Sequence, residues 1–205
     1  MNRVATLACT LLATATIAQV PAPPPGPIAT ERAETRAPAT LRVTSAAFAN
    51  GARIPQRYSR YYANVSPPLR WSGAPARTRA YVLIVDDPDG RLKPVTHWTA
   101  WDITATSLPE GVPNGPAIAQ PRPDRSRGQP LAAAQGMTTM RTLGYAGPHP
   151  PLGDPPHHYH FQVFALDRQL GLPPGAGRDA LLAAMKGHVL AKGETVGSYA
   201  QATAP

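Results

Sequence analysis

The sequence is short of the residues that crosslink, ligate soft metals and stack. It holds one cysteine, Cys9, and only 6% of its residues are aromatic. A single thiol excludes an internal disulfide and a multi-thiolate metal centre. Its place near the N-terminus means that removal of a leader would leave no cysteine at all. Several catalytic signatures are also missing: there is no P-loop, dinucleotide fingerprint, GxSxG elbow or HExxH pair. No apolar run reaches the ~20 residues that a membrane-spanning helix needs. The net charge is +8, but the arginines are scattered, without a basic helix or an interleaved aromatic stripe. Nucleic acid is therefore not an expected partner.

What the chain has in excess is proline, 26 in 205 residues, and it is unevenly placed. Residues 1–18 carry only Arg3 as a charge, followed by the uncharged run Val4 to Ile17 and small residues before Gln19. This pattern predicts a secretory signal peptide, and hence a periplasmic or secreted protein with no stable membrane insertion after cleavage. Thr6-Leu7-Ala8-Cys9 resembles part of a lipoprotein box, but most of the apolar run follows Cys9 instead of preceding it, which disfavours lipidation. Residues 19–40 contain PAPPPGP and mixed charges with no apolar period, and predict an extended linker. The folded domain is expected over residues 41–205.

Within that span the signals are those of strands. Leu41–Ser45 is a short candidate and Asn50-Gly51 a turn. In NVSPPLRW, Ser66-Pro67-Pro68 makes a rigid corner ahead of Trp71. Ala80–Val85 (AYVLIV) is continuous and apolar, as in a central strand buried on both faces, and it ends in the turn-forming DDPDG. Val95–Ile103 follows as another strand. The connection from Leu108 to Gly136, with its PRPDRSRG run, is expected to lack regular structure. Arg178–Ala191 reads as a helix with Leu181, Leu182, Met185 and Val189 on one stripe and Gly193 as its stop. Glu194–Gln201 reads as a last strand.

The stretch Gly144–Asp167 joins two kinds of sequence. Its first half is a proline-stiffened loop, with Pro148, Pro150, Pro151, Pro155 and Pro156; its second half alternates as a strand does. A stiff loop thus delivers His157 and Tyr159 to the start of a strand. Being two apart, they point to one side.

That stretch resembles the phosphatidylethanolamine-binding protein family, in its bacterial Raf-kinase-inhibitor-like branch, whose loop runs roughly GYxGPxPPxGxxHRY before a strand ending ALD. Gly144, Tyr145, Gly147, Pro148, Pro150, Pro151, Gly153, His157, Tyr159 and Ala165-Leu166-Asp167 match it. His158 stands where the family has arginine, and Met137-Thr138 where it commonly has an asparagine-serine pair. Two further segments fit: NVSPPLRW resembles NxSPxLxW, and Asp87-Pro88-Asp89 with His97-Trp98 resembles the DPD signature and the histidine-aromatic pair. The resemblance implies a mainly β fold. The expected form is an antiparallel β-sandwich of Greek-key-like topology with one or two short peripheral helices. It also implies a pocket formed by Asp87, His97, His157 and Tyr159, with Pro148, Pro151 and Gly153 shaping the loop.

One carboxylate, two imidazoles and a phenol suit an oxyanion, because imidazolium and phenol are donors and Asp87 can orient an imidazole and favour its charged form. The expected function is non-enzymatic binding of a phosphate-bearing head group or phosphorylated ligand, without a cofactor. A module that inhibits a protease or kinase is the alternative, and a hydrolase using the Asp/His cluster the third reading. The third lacks a nucleophile. A metal site among His149, His157, His158 and His160 is not expected, since His157 and His158 point oppositely and no metal-ligand spacing is present.

Overall fold

The computed structural model describes residues 27–92, 94–119 and 132–201. The expected signal peptide and the PRPDRSRG run lie outside them. Among the described residues the fold is mainly β, with antiparallel strands and one α-helix. The strands are β1 (Ala39–Thr40), β2 (Arg42–Thr44), β3 (Leu69–Ser72), β4 (Ala80–Asp87), β5 (Val95–Ile103), β6 (Ser107–Leu108), β7 (Ala117–Ala119), β8 (Ala132–Gln135), β9 (His157–Leu166) and β10 (Val189–Tyr199), with α1 (Arg178–Met185) before the last. A seven-stranded sheet runs β1-β10-β9-β4-β5-β8-β7, and a three-stranded sheet runs β2-β3-β6.

The central strands explain themselves. Every residue of β4 is buried, because both faces of the large sheet are covered. Tyr81, Leu83 and Val85 alternate onto one face, where they meet Val43, Leu69, Trp71 and Leu108 of the small sheet. Val82 and Ile84 face the other way, onto Leu181, Leu182 and Met185 of α1. Strand β9 repeats the pattern, with Tyr159, Phe161 and Val163 toward the small sheet and Phe164 and Leu166 toward the helix. A two-layer picture is thus incomplete: the second face of the large sheet carries α1 and an N-terminal arm.

That arm corrects the expected linker. Residues 27–40 pack instead of spacing: Ala29 and Thr35 are fully buried, and β1 pairs in parallel with β10. Two three-residue 3₁₀ turns, Ala29–Glu31 and Ala33–Thr35, are tied together by the Thr35 hydroxyl, which donates to Ala29 O at 2.6 Å. Such short turns carry no 3.6-residue period, so no amphipathic signal reveals them.

Two further boundaries move. The helix ends at Met185, not Ala191, because Gly187 takes φ +82° and the chain turns into β10 at Val189. Gly193 is no helix stop; it lies inside β10, where a Cβ would collide with the Leu41 carbonyl. The connection from Leu108 to Gly136 contains β7 and β8, which extend the large sheet beyond β5. Gln135 anchors it, accepting from Trp98 Nε1 at 2.8 Å and donating to Pro113 O and Gly115 O.

Candidate functional site

At one end of the large sheet, on the face turned to the small sheet, β4, β5 and β9 each contribute one polar side chain. Asp87 is the last residue of β4 and His157 the first of β9; both are buried. His97 arrives by a different route. Val85 pairs with Trp98 and Asp86 with Thr96, so His97 is the extra residue of a β-bulge. The bulge sets His97 and Trp98 on the same side of β5, which regular alternation forbids.

Asp87 is the hub. Its Oδ1 accepts the backbone N–H groups of Asp89 at 2.9 Å and Gly90 at 3.1 Å, which closes the DPDG turn. Its Oδ2 accepts His157 Nδ1–H at 2.9 Å and lies 3.8 Å from His97 Nε2. Burial favours the neutral acid, but the hydrogen bond from His157 and the approach of His97 outweigh it and hold the carboxyl well below the usual range. Reciprocally, the hydrogen bond to Asp87 raises the His157 pKa above that of free imidazole against the opposing effect of burial. His97 is fixed from behind: its Nδ1 donates to Ala146 O at 2.6 Å, so its Nε2 turns toward Asp87.

The proline-rich loop is rigidly seated. Gly147 passes so close to the Tyr58 carbonyl that a Cβ there would overlap it, and its N–H donates to Asn64 Oδ1 at 2.8 Å. Pro148 O accepts from the Ser59 hydroxyl and the Arg60 N–H. Asn64 and Ser66 of the NVSPPLRW segment therefore act by support: Asn64 holds the loop, and Ser66 Oγ accepts the Val112 N–H. Trp71 is buried in the core.

A cavity of about 270 Å³ opens beside the cluster, lined by Asp87, His97 and His157 together with residues that sequence reasoning did not nominate. Arg91, Leu92, Val95 and Met140 line it, as do His149 and Asp154 of the loop beside the expected Pro151. His149 stacks on Tyr61 at 4.2 Å, and burial, with Arg60 nearby, lowers its pKa and favours the neutral ring. Tyr159 stands behind this lining. Its ring meets His97 edge-on at 5.0 Å, and its fully buried hydroxyl makes no hydrogen bond within the described residues. Burial, with Asp87 close by, pushes its pKa far above the ordinary phenol value. Pro151 lines the cavity, Pro148 is a loop anchor, and Gly153 turns the loop at φ +80°. His158 points away and pairs with Asp89 at 2.8 Å. No group of three or more His, Cys, Asp or Glu side chains among the described residues is arranged to hold a metal ion.

Comparison with known proteins gives this arrangement a family. A protein of Pyrococcus horikoshii described as a UPF0098 protein is 42% identical over 161 residues, which is 78% of this chain and 76% of that one. A UPF0098 protein of Methanothermobacter thermautotrophicus is 40% identical over 78% of this chain and 98% of its own length. The crystal structure of a phosphatidylethanolamine-binding protein homolog from Chlamydia trachomatis, 34% identical, superposes with a TM-score of 0.65 over 79% of this chain and 98% of that one. YbcL of E. coli, described as a new member of the mammalian PEBP family, is 27% identical with a TM-score of 0.67 over 79% and 99%. The sequence model of the family described as phosphatidylethanolamine-binding protein matches residues 44–200, so the chain belongs to that family of binding proteins.

Proposed function

We propose that the protein binds, without turning over, a phosphate-bearing head group or phosphorylated small ligand in the cavity beside Asp87, His97 and His157. The observation that carries this reading is the 2.9 Å Asp87–His157 hydrogen bond. The other Asp87 oxygen is capped by backbone N–H groups, so the buried carboxylate draws its positive partner from an imidazole that also lines a cavity. An imidazolium held in this way is a fixed donor for an oxyanion, with Arg91 in the same cavity lining as a second. Each charge-assisted hydrogen bond contributes roughly 1.5–3 kcal/mol, and ordering a small ion offsets much of that, so free phosphate binds weakly. Leu92, Val95, Met140 and Pro151 supply apolar contact for whatever the phosphate is attached to.

Isothermal titration with phosphate, sulfate and phosphoethanolamine tests this. Phosphoethanolamine should bind most tightly, and His157→Ala should abolish most of the affinity for all three. Unchanged binding in His157→Ala would place the anion elsewhere and overturn the assignment. A second reading, a module that inhibits a protease or kinase, draws on two exposed leucines: Leu92, which lines the cavity and is 66% exposed, and Leu152, next to Pro151 in the loop and 53% exposed. Joint replacement of these leucines by serine should weaken phosphoethanolamine binding if they serve the ligand. Unchanged affinity would favour the protein-facing reading.

A further inference from the structure

His157 has two ring nitrogens, and only one is committed to Asp87. The other, Nε2, lies 3.6 Å from Asp154 Oδ2, beyond hydrogen-bond length but within ion-pair range. Asp154 comes from the loop, three residues earlier, and lines the same cavity. Its backbone is fixed: its N–H donates to Pro151 O at 3.2 Å, the Gly153 N–H donates to Gln201 O at 3.2 Å, and two prolines follow. Its carboxylate is 38% exposed and accepts no hydrogen bond from the described residues.

An oxyanion bound to His157 would need the position that this carboxylate fills. Nδ1–H already serves Asp87, so Nε2–H is the donor that remains. A neutral ring would instead turn a lone pair toward Asp154, which is repulsive. The arrangement is therefore that of an imidazolium between two carboxylates. Asp89, from the turn after β4, adds a third negative group near the ring; His97 shares Asp87, and Arg91 is a cation in the cavity lining. Of the three acids, Asp87 and Asp89 have other donors: Asp87 holds its turn, and Asp89 pairs with His158. Asp154 alone faces His157 Nε2.

We propose that Asp154 is a built-in competitor for the anion, a carboxylate on a stiff loop that occupies the ligand side of His157 and must be displaced for a ligand to bind. This rests on the reading of His157 as the anion's partner. Asp154 is thereby a specificity-determining residue. A monoanionic carboxylate gains little by replacing another carboxylate, whereas a dianionic oxyanion such as a phosphate monoester gains a stronger contact. The site is biased toward dianions by the group they must expel.

Sulfate is the probe, because its charge does not change across the neutral range. Its affinity should be measured by titration calorimetry for the wild-type protein, Asp154→Asn, Asp154→Ala and His157→Gln. Both Asp154 variants should bind sulfate roughly two- to fivefold more tightly, the range in which partly exposed ion pairs count. His157→Gln should lose most of the binding. Nuclear magnetic resonance of the His157 ring separates competition from general charge removal. Without sulfate, Asp154→Asn should lower the titration midpoint relative to wild type; at saturating sulfate the two midpoints should coincide. Unchanged or weaker sulfate binding in both Asp154 variants, with His157→Gln still impaired, overturns the competitor and leaves the site assignment standing. Wild-type binding in His157→Gln overturns both.

Discussion

Asp86 and Asp87 are neighbours on β4, both buried, and opposite in use. Asp86 faces the helix side and is saturated. Arg178 Nη2 donates to it at 3.0 Å, Gln162 Nε2 at 3.0 Å, the Ala29 N–H at 3.0 Å and the Thr96 hydroxyl at 3.2 Å. The cation of this set is the Arg178 guanidinium, whose planar fork suits a carboxylate. Asp87 faces the small-sheet side, and its cationic partner is a histidine on the edge of a cavity. The pair teaches that burial of a carboxylate does not by itself mark a site. A carboxylate satisfied by groups that cannot titrate is an architectural fixture. One satisfied by a titratable group open to a cavity can exchange partners.

The largest expected effect sharpens the Asp86 side. Arg178→Ala leaves Asp86 buried without its cation and should cost about 3–5 kcal/mol of stability in urea denaturation, since a broken buried pair strands a charge. Sulfate affinity of the folded fraction should stay close to wild type. A parallel loss of affinity would erase the distinction between the two faces.

Asp87→Asn is the mirror test. Stability should fall by about 1–3 kcal/mol, because the amide can still accept the turn's N–H groups while the charged contact to His157 is lost. Anion binding should fall more than tenfold, and the His157 midpoint, followed by nuclear magnetic resonance, should drop toward the free-imidazole value.

A subtler difference is pH dependence. The folded-state pKa of His157 is raised, so its stabilisation is complete below the unfolded value near ~6.5 and is lost as pH rises through the folded value. Asp87 is depressed, so its share is present above ~3.9 and is lost as pH falls through its folded value. The pair therefore stabilises most between about pH 4 and 6.5. In His157→Gln the decline of stability on the alkaline side of that window, read from denaturant midpoints, should flatten; Arg178→Lys should keep it.

The smallest effect belongs to Tyr159→Phe. The hydroxyl is buried without a hydrogen bond among the described residues, so deleting it should change stability by less than ~1 kcal/mol, in either direction. A fall in sulfate affinity comparable to that of His157→Gln would show the phenol to be a direct ligand contact.

How much of this was legible in the chain follows from which signals are local. The strands β4, β5 and β9 announce themselves because burial on alternating or both faces forces apolar and β-branched residues into register with the pleat. Asp87 and His157 were legible as strand-end residues beside turn chemistry, and the resemblance to a family added His97. The bulge that aims His97 was not, since one extra residue changes the partner strand's register without changing composition. Asp154 was hidden among loop residues, its meaning set by a nitrogen on the next strand. The helix was read too long because Val189 continues the apolar stripe of Leu181, Leu182 and Met185, and only the positive φ of Gly187 breaks it. The arm at residues 27–40 has no apolar period to betray it, because its short turns pack through buried Ala29 and Thr35 and through backbone hydrogen bonds.

The arm has a further consequence, for the rim of the large sheet. Strand β10 runs eleven residues along that rim, where an open ladder would invite pairing with another chain. It is sealed piecewise. Ala39–Thr40 pairs with Ala191 and Lys192, and the Leu41 N–H donates to Lys192 O. Farther along, the Gly51 N–H donates to Val196 O, and Ile54 and Ala52 exchange hydrogen bonds with Ser198. A chain trimmed to the boundary read from its composition, at Leu41, would lose β1 and expose the start of that rim. Self-association, more than unfolding, is the failure to expect from such a truncation.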